Sequence, residues 1–210
     1  LAYSSHQWMR REFARDLLFV WDEGTWQLQC SLGQDYWQLI RTQIQGHATL
    51  GRQYPDYKYG VEGDTPSFLN VIPNGLHNPE EPMQVGWGGY HIWTMTKDST
   101  TCAWTSWQEP VKSISETYYR QFYPSQLNDF IARIEWAEKG QGNRNPVAVV
   151  NGENGTDAIV IMAKAGQTIS LDASASFDPD GDGLTFKWWQ QDGISQAKAT
   201  VSNATSSTVK

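Results

Sequence analysis

The apolar pattern of this 210-residue chain changes period once, across the polar, glycine-rich segment Lys139-Gly140-Gln141-Gly142-Asn143-Arg144-Asn145-Pro146. Upstream of it, apolar residues recur at helical spacing. Leu127, Phe130, Ile131 and Ile134 share one helical face, with Ser125 as N-cap after Pro124 and Gly140 past the end. Downstream the runs are short and β-branched or aromatic: Pro146-Val147-Ala148-Val149-Val150, Ala158-Ile159-Val160-Ile161-Met162, Thr168-Ile169-Ser170-Leu171-Asp172 and Leu184-Thr185-Phe186-Lys187-Trp188-Trp189. The change of pattern marks a boundary between two units. The expected organisation is an α/β domain over 1–140, a linker over 141–145 and an all-β domain over 146–210.

Further upstream, Trp8 to Asp16 reads as a short helix, followed by a buried strand over Asp16–Trp21. Tyr36, Leu39, Ile40, Gln43 and Ile44 then form a second helical face, with Asp35 or Ser31 near its start. Strands alternating with helices imply an α/β layer, with ligands at the carboxyl ends of the strands. Leu1 opens in mid-pattern, so a fragment or a processed piece is expected. The four downstream runs are about half of what an immunoglobulin-like sandwich needs, so that domain too is expected to be truncated.

A formal charge of −7 argues against a nucleic-acid backbone as partner, because such binding needs clustered Lys and Arg. The longest apolar run, Asp157 to Ala163, is strand-sized and far short of a membrane span. A neutral ligand such as a sugar fits better. Eleven Trp and nine Tyr supply flat rings that either fill a core or stack on sugar faces. Trp87, Trp93, Trp104 and Trp107 lie in a Gly/Thr/Ser-rich stretch without helical period and are expected to be exposed, whereas one of Trp188 and Trp189 faces inward by alternation.

The candidate site is the loop-rich stretch from Gly60 to Tyr90. It holds Glu62, Asp64, Asn74, His77 and Trp87 among glycines that let backbone approach a ligand closely. Read as a turn, Asp64 is instead a cap and the glycines are shape alone. Glu62 and Asp64 do not suit the acid/base pair of an O-glycosidase, whose carboxyls stand at least about 5 Å apart across the substrate.

Glu62-Gly63-Asp64-Thr65-Pro66-Ser67-Phe68-Leu69, Ile72-Pro73-Asn74-Gly75-Leu76, Trp87-Gly88-Gly89, Asp129-Phe130-Ile131-Ala132-Arg133, and Leu171-Asp172-Ala173-Ser174 with Asp178-Pro179-Asp180-Gly181-Asp182 occur in that order. Together they resemble the distal half of secreted nucleoside-hydrolase-like proteins described as cellulose-binding, which carry an Ig-like domain at their C-terminal end. The resemblance implies N-glycosidic hydrolysis in the full-length parent, with calcium holding the attacking water and the ribose hydroxyls. It makes Asp64 the late metal ligand and catalytic candidate, with Glu62 beside it and Asn74 on a sugar hydroxyl. His77, Trp87 and Trp107 complete the substrate-binding candidates, for a sugar, a nucleoside or a plant polysaccharide. The Asp-rich motif that supplies most ligands in such enzymes is absent here, and Gly63 stands where they commonly carry His, so this chain by itself is expected to be inactive. The alternative is a non-catalytic polysaccharide-binding module using exposed Trp.

Asp178-Pro179-Asp180-Gly181-Asp182-Gly183 opens like an EF-hand loop, but Trp189 stands where the bidentate Glu belongs. A structural turn, its carboxylates bonding nearby amides, is the expectation ahead of a calcium site. Cys30 and Cys102 are either one bridge or two small buried side chains. Asn154 and Asn203 begin glycosylation sequons, which matter only in an exported eukaryotic protein.

Overall fold

The computed structural model describes residues 2–22, 25–56, 63–72, 76 and 78–210. The polypeptide forms two compact units, Leu1–Gly140 and Gln141–Lys210. Among the described residues, no helix is long and apolar enough to cross a membrane.

The first unit is mixed α/β. Its helices are α1 (Ala2–Glu12), α2 (Thr25–Asp35), α3 (Trp37–Gln43), α4 (Ala48–Gly51), α5 (Thr65–Leu69) and α6 (Val111–Lys139). Its strands β1 (Val20–Trp21), β2 (Ile92–Met95) and β3 (Cys102–Thr105) form a sheet in the order β1-β3-β2. β1 runs parallel to β3, while β2 and β3 are antiparallel. The strand expected over Asp16–Trp21 is shorter than its apolar run because β3 pairs only Trp104 and Thr105 with it, which leaves Leu17 and Leu18 exposed. The first helix likewise ends at Glu12 rather than Asp16.

The 29-residue α6 organises the unit. Its buried residues Val111, Ser115, Tyr118, Tyr119, Phe122, Tyr123, Gln126, Leu127 and Ile134 follow a helical period, and this face packs on α2 and α4. The Glu109 carboxylate accepts from the backbone N–H and hydroxyl of Ser113 at 3.2 and 2.6 Å, occupying an amide that the first turn leaves open. Those hydrogen bonds hold its carboxyl below the ordinary range. Gly140 closes the helix at φ 62°, its N–H reaching the Trp136 carbonyl at 2.8 Å. The expected N-cap at Ser125 is corrected: the helix passes straight through Pro124. Burial of Phe122, Tyr123, Gln126 and Leu127 on either side of the proline holds the segment helical despite the missing donor.

The beginning of the chain is latched to the β2–β3 hairpin by one buried ion pair. Arg10 donates to Asp98 at 2.9 Å and to Thr101 Oγ1 at 2.6 Å, and its guanidinium lies 4.5 Å from the Trp21 ring centroid. Burial raises the Asp98 pKa, but hydrogen bonds from Thr96, Gln7 and Thr100 outweigh it and hold the carboxyl well below the usual carboxylate range.

The second unit is extended and turn-rich. Its ladder is β4 (Leu171–Asp172) antiparallel to β5 (Thr208–Val209), with an isolated bridge between Val147 and Phe177. The runs over 158–162 and 184–189 join no ladder among the described residues. β-propensity marks a segment that fits a pleated surface, but a strand forms only where a partner meets it. Val160 and Met162 accordingly stand 81% and 90% exposed. Leu184, Phe186 and Trp188 do alternate in burial with their neighbours, and Trp188 donates to the Ser206 carbonyl at 2.8 Å while Trp189 faces out. In the acidic turn, Asp178 Oδ1 accepts from the Asp180 amide at 2.7 Å and Arg144 pairs with Asp180 at 3.0 Å.

Candidate functional site

The turn Gly86-Trp87-Gly88-Gly89 is held by reciprocal backbone hydrogen bonds between Gly86 and Gly89, each 3.1 Å. It is wedged between two helices. A Cβ on Gly88 would stand 2.2 Å from Asn70 Oδ1, and one on Gly89, at φ 101°, would stand 2.2 Å from Ser115 Oγ. Asn70 is itself fixed at the end of α5 by donating to the Pro66 carbonyl at 3.1 Å, and Ser115 Oγ accepts from the Tyr90 amide at 3.0 Å. Gln126 of α6 donates from Nε2 to the Trp87 carbonyl at 3.0 Å. Two helices therefore converge on the turn that carries the indole.

That indole lines a cavity of about 250 Å³. α2 contributes Gln29 and α3 Ile40; α5 contributes Thr65, Phe68 and Leu69; α6 contributes Tyr123, Gln126, Leu127, Asp129, Phe130 and Arg133; Tyr54 and Ile72 complete the lining. The walls are mainly apolar, aromatic and aliphatic side chains together, with Tyr54 and Phe130 in ring contact at 6.1 Å. Polar groups enter at chosen points. Asp129 and Arg133 pair one helical turn apart at 2.7 Å, the carboxylate 11% and the guanidinium 56% exposed. Tyr119, behind the wall, donates its hydroxyl to Gln29 Oε1. Trp87 Nε1 and Gln126 Oε1 are buried without a hydrogen-bond partner among the described residues. Such groups cost free energy when left unmatched.

The structure divides the sequence-predicted residues. Trp87 belongs to the cavity, but as a wall with 8% exposure and not as the exposed platform expected of it; Gly88 and Gly89 let it sink between α5 and α6. Trp107 is half-buried, donating to the Met95 carbonyl at 3.0 Å, and does not line the cavity. Trp93, cross-strand from Trp104 at a ring distance of 6.0 Å, is 51% exposed as expected. Asp64 stands exposed at the N-terminus of α5, next to cavity-lining Thr65. Glu62, Asn74 and His77 lie outside the described residues.

Gln126, Asp129 and Arg133 carry no site role in the sequence reading, although Asp129 and Arg133 fall within a segment quoted for the resemblance. Their signal is spacing: polar residues at 126, 129 and 133 sit on the face that also carries Leu127 and Phe130. Cys30 and Cys102 are not joined in a disulfide. Among the described residues no group of three or more His, Cys, Asp or Glu gathers to hold a metal.

His91, two residues beyond the turn, is wholly buried. Neither ring nitrogen has a partner among the described residues, and burial lowers its pKa to about 4. It is a neutral imidazole at pH 7.

Residues 3–91 match the family model described as cellulose-binding Sde182, nucleoside hydrolase-like domain, and residues 168–210 match that described as cellulose-binding protein Sde0182, C-terminal domain. The structure is similar to that of a nucleoside hydrolase-related hypothetical protein from Saccharophagus degradans that is associated with carbohydrate metabolism. The TM-score is 0.75 at 30% identity, over 98% of this chain and 51% of that chain. The chain thus spans about half the length of that protein. No curated protein matches. The first unit is thus similar to a nucleoside hydrolase-like domain described as cellulose-binding, and the second to the C-terminal domain of a protein described as cellulose-binding.

Proposed function

We propose that this chain engages carbohydrate through the cavity between α5 and α6, as part of a secreted nucleoside-hydrolase-like protein. The observation that carries the reading is a cavity in which aromatic Tyr54, Phe68, Trp87, Tyr123 and Phe130 stand beside polar Gln29, Thr65, Gln126, Asp129 and Arg133. Sugars present apolar faces and a rim of hydroxyls, which such a lining complements. The cellulose-binding description of the matching family models makes a polysaccharide the natural source of that sugar. Titration of the chain with soluble cello-oligosaccharides tests it: binding that Trp87→Ala removes and Trp107→Ala leaves intact supports the reading, and binding indifferent to Trp87 contradicts it.

A hydrolytic role of the full-length parent is the second reading, favoured by the position of Asp64 beside a cavity residue. N-glycosidic hydrolysis with calcium needs six to eight oxygen ligands. The described residues offer Asp64 alone from that set and do not fit the ion by themselves. A calcium role for Asp64 therefore belongs to the parent, where Asp64→Ala tests it. The immunoglobulin-like reading of the second unit rests on the spacing of its β-branched runs.

A further inference from the structure

We propose that Arg133 is the specificity-determining residue of the α5–α6 cavity, its guanidinium donating to two neighbouring hydroxyls of an uncharged sugar ring laid against Phe68 and Phe130. This deepens, and rests on, the carbohydrate reading above. Solvent access is the first argument. Trp87 and Gln126 are buried in the wall, whereas Phe68, Phe130 and Arg133 line the same cavity and are 62%, 40% and, for the Arg133 side chain, 56% exposed. A ligand entering the cavity can therefore reach two rings and a guanidinium. An aromatic face covers the apolar side of a sugar, and a guanidinium presents its donors as a rigid planar fork that meets two oxygens at once.

Orientation is the second. Arg133 Nε donates to Asp129 at 2.7 Å, one turn back along α6, and the guanidinium carbon stands 5.8 Å from the Trp136 ring centroid, one turn of helix further on. These contacts hold the group while its two terminal amino groups make no hydrogen bond among the described residues. Charge is the third. Arg133 is the one cation among the described residues of the lining, and Asp129 offsets its charge. The paired fork is drawn less strongly to anions than a lone guanidinium and keeps donors that suit hydroxyls. An i,i+4 ion pair with an exposed partner adds little to stability, so a loss of binding at position 133 arises at the site and not through the fold.

Titration of the intact, isotopically labelled chain, followed by nuclear magnetic resonance, tests the proposal with methyl β-glucoside, its 3-deoxy analogue and glucuronate. The hydroxyl missing from the analogue belongs to every adjacent pair of ring hydroxyls, so the analogue should bind about tenfold more weakly than the glucoside. Arg133→Met keeps an apolar stem and deletes the donors. It should weaken the glucoside about tenfold and erase the preference over the analogue, while circular dichroism shows the fold retained. Arg120→Met, at an exposed position of α6 that does not line the cavity, should change neither value. A preference that survives Arg133→Met overturns the assignment, because a merely structural role would weaken both glycosides alike. Glucuronate binding more tightly than the glucoside, with the advantage lost in Arg133→Met, makes the site one for acidic sugars and overturns the uncharged ligand. Glucoside binding that Trp87→Ala removes and Arg133→Met leaves unchanged overturns the role of Arg133 alone, whereas no binding by any sugar, cello-oligosaccharides included, overturns the carbohydrate reading itself.

Discussion

The side chain of Gln126 reaches from the middle of α6 to the backbone carbonyl of Trp87, 3.0 Å away, and thereby ties the longest helix to the glycine turn. The bond has two consequences. It holds Trp87 in the cavity wall, and it sets which end of the buried amide faces the turn.

Gln126→Leu should therefore loosen the turn and empty the site together. Removing a buried partner from the Trp87 carbonyl costs about 1–3 kcal/mol. Urea unfolding measures that loss, and a variant as stable as the parent chain would show that the bond does not hold the turn.

Gly88→Ala and Gly89→Ala should each destabilise the first unit by about 1–3 kcal/mol. The new Cβ at 88 meets an Asn70 side chain that is buried and already bonded to Pro66, and at 89 the positive φ adds strain. Chemical denaturation reads the cost, and Gly140→Ala is the comparison. Its Cβ would meet nothing within 4 Å, so only the left-handed backbone at φ 62° opposes it.

How far this site was legible follows from the same residues. The motif Trp87-Gly88-Gly89 was visible, and so was its importance, but a Gly-rich run reads as a loop and loops read as exposed. Only Asn70 and Ser115, remote in sequence, reveal that the glycines admit close packing and bury the indole. The end of α6 was plain because Gly140 is a local cap. Its beginning was misplaced because Pro124 is a local breaker that tertiary burial overrides. Gln126, Asp129 and Arg133 escaped because a cavity is assembled from several elements, while helical spacing alone reports one. In the second unit the β-branched runs were clear, but pairing depends on a partner strand that composition does not specify.

The Arg10–Asp98 pair should be costly to break from one side. Asp98→Ala leaves the guanidinium, 1% exposed, without its counter-ion, and losses of about 3–5 kcal/mol are typical of such sites. Thermal unfolding checks this. A loss under 1 kcal/mol would mean that Arg10 finds full compensation from Thr101 and the Trp21 ring.

Acid should weaken the fold through His91 before it does so through Asp98. The His91 pKa falls on folding from 6.5 to about 4, so the unfolded chain takes up the proton first. Its contribution is whole above pH 6.5 and is lost as pH falls toward 4, about 3 kcal/mol in all. Asp98, whose carboxyl is depressed in the fold, loses its contribution only below the ordinary carboxylate range. Stability measured from pH 7 to 4 should slope downward in the parent chain and flatten in His91→Leu; equal slopes in the two would exclude His91 as the cause.

In the full-length parent, Asp64→Ala should abolish turnover of nucleoside or glycoside substrate if the hydrolase reading holds. Retained turnover and retained calcium would remove Asp64 from the mechanism, and the cavity at α5–α6 would stand as a binding site only.

The most direct test of the central claim is the indole nitrogen resonance of Trp87, assigned by its disappearance in Trp87→Phe and followed while cellobiose is added to the labelled chain. This signal should shift with saturation, and those of Trp93 and Trp107 should not. A still Trp87 signal beside moving Trp93 or Trp107 signals would put the sugar on the hairpin surface and contradict the cavity.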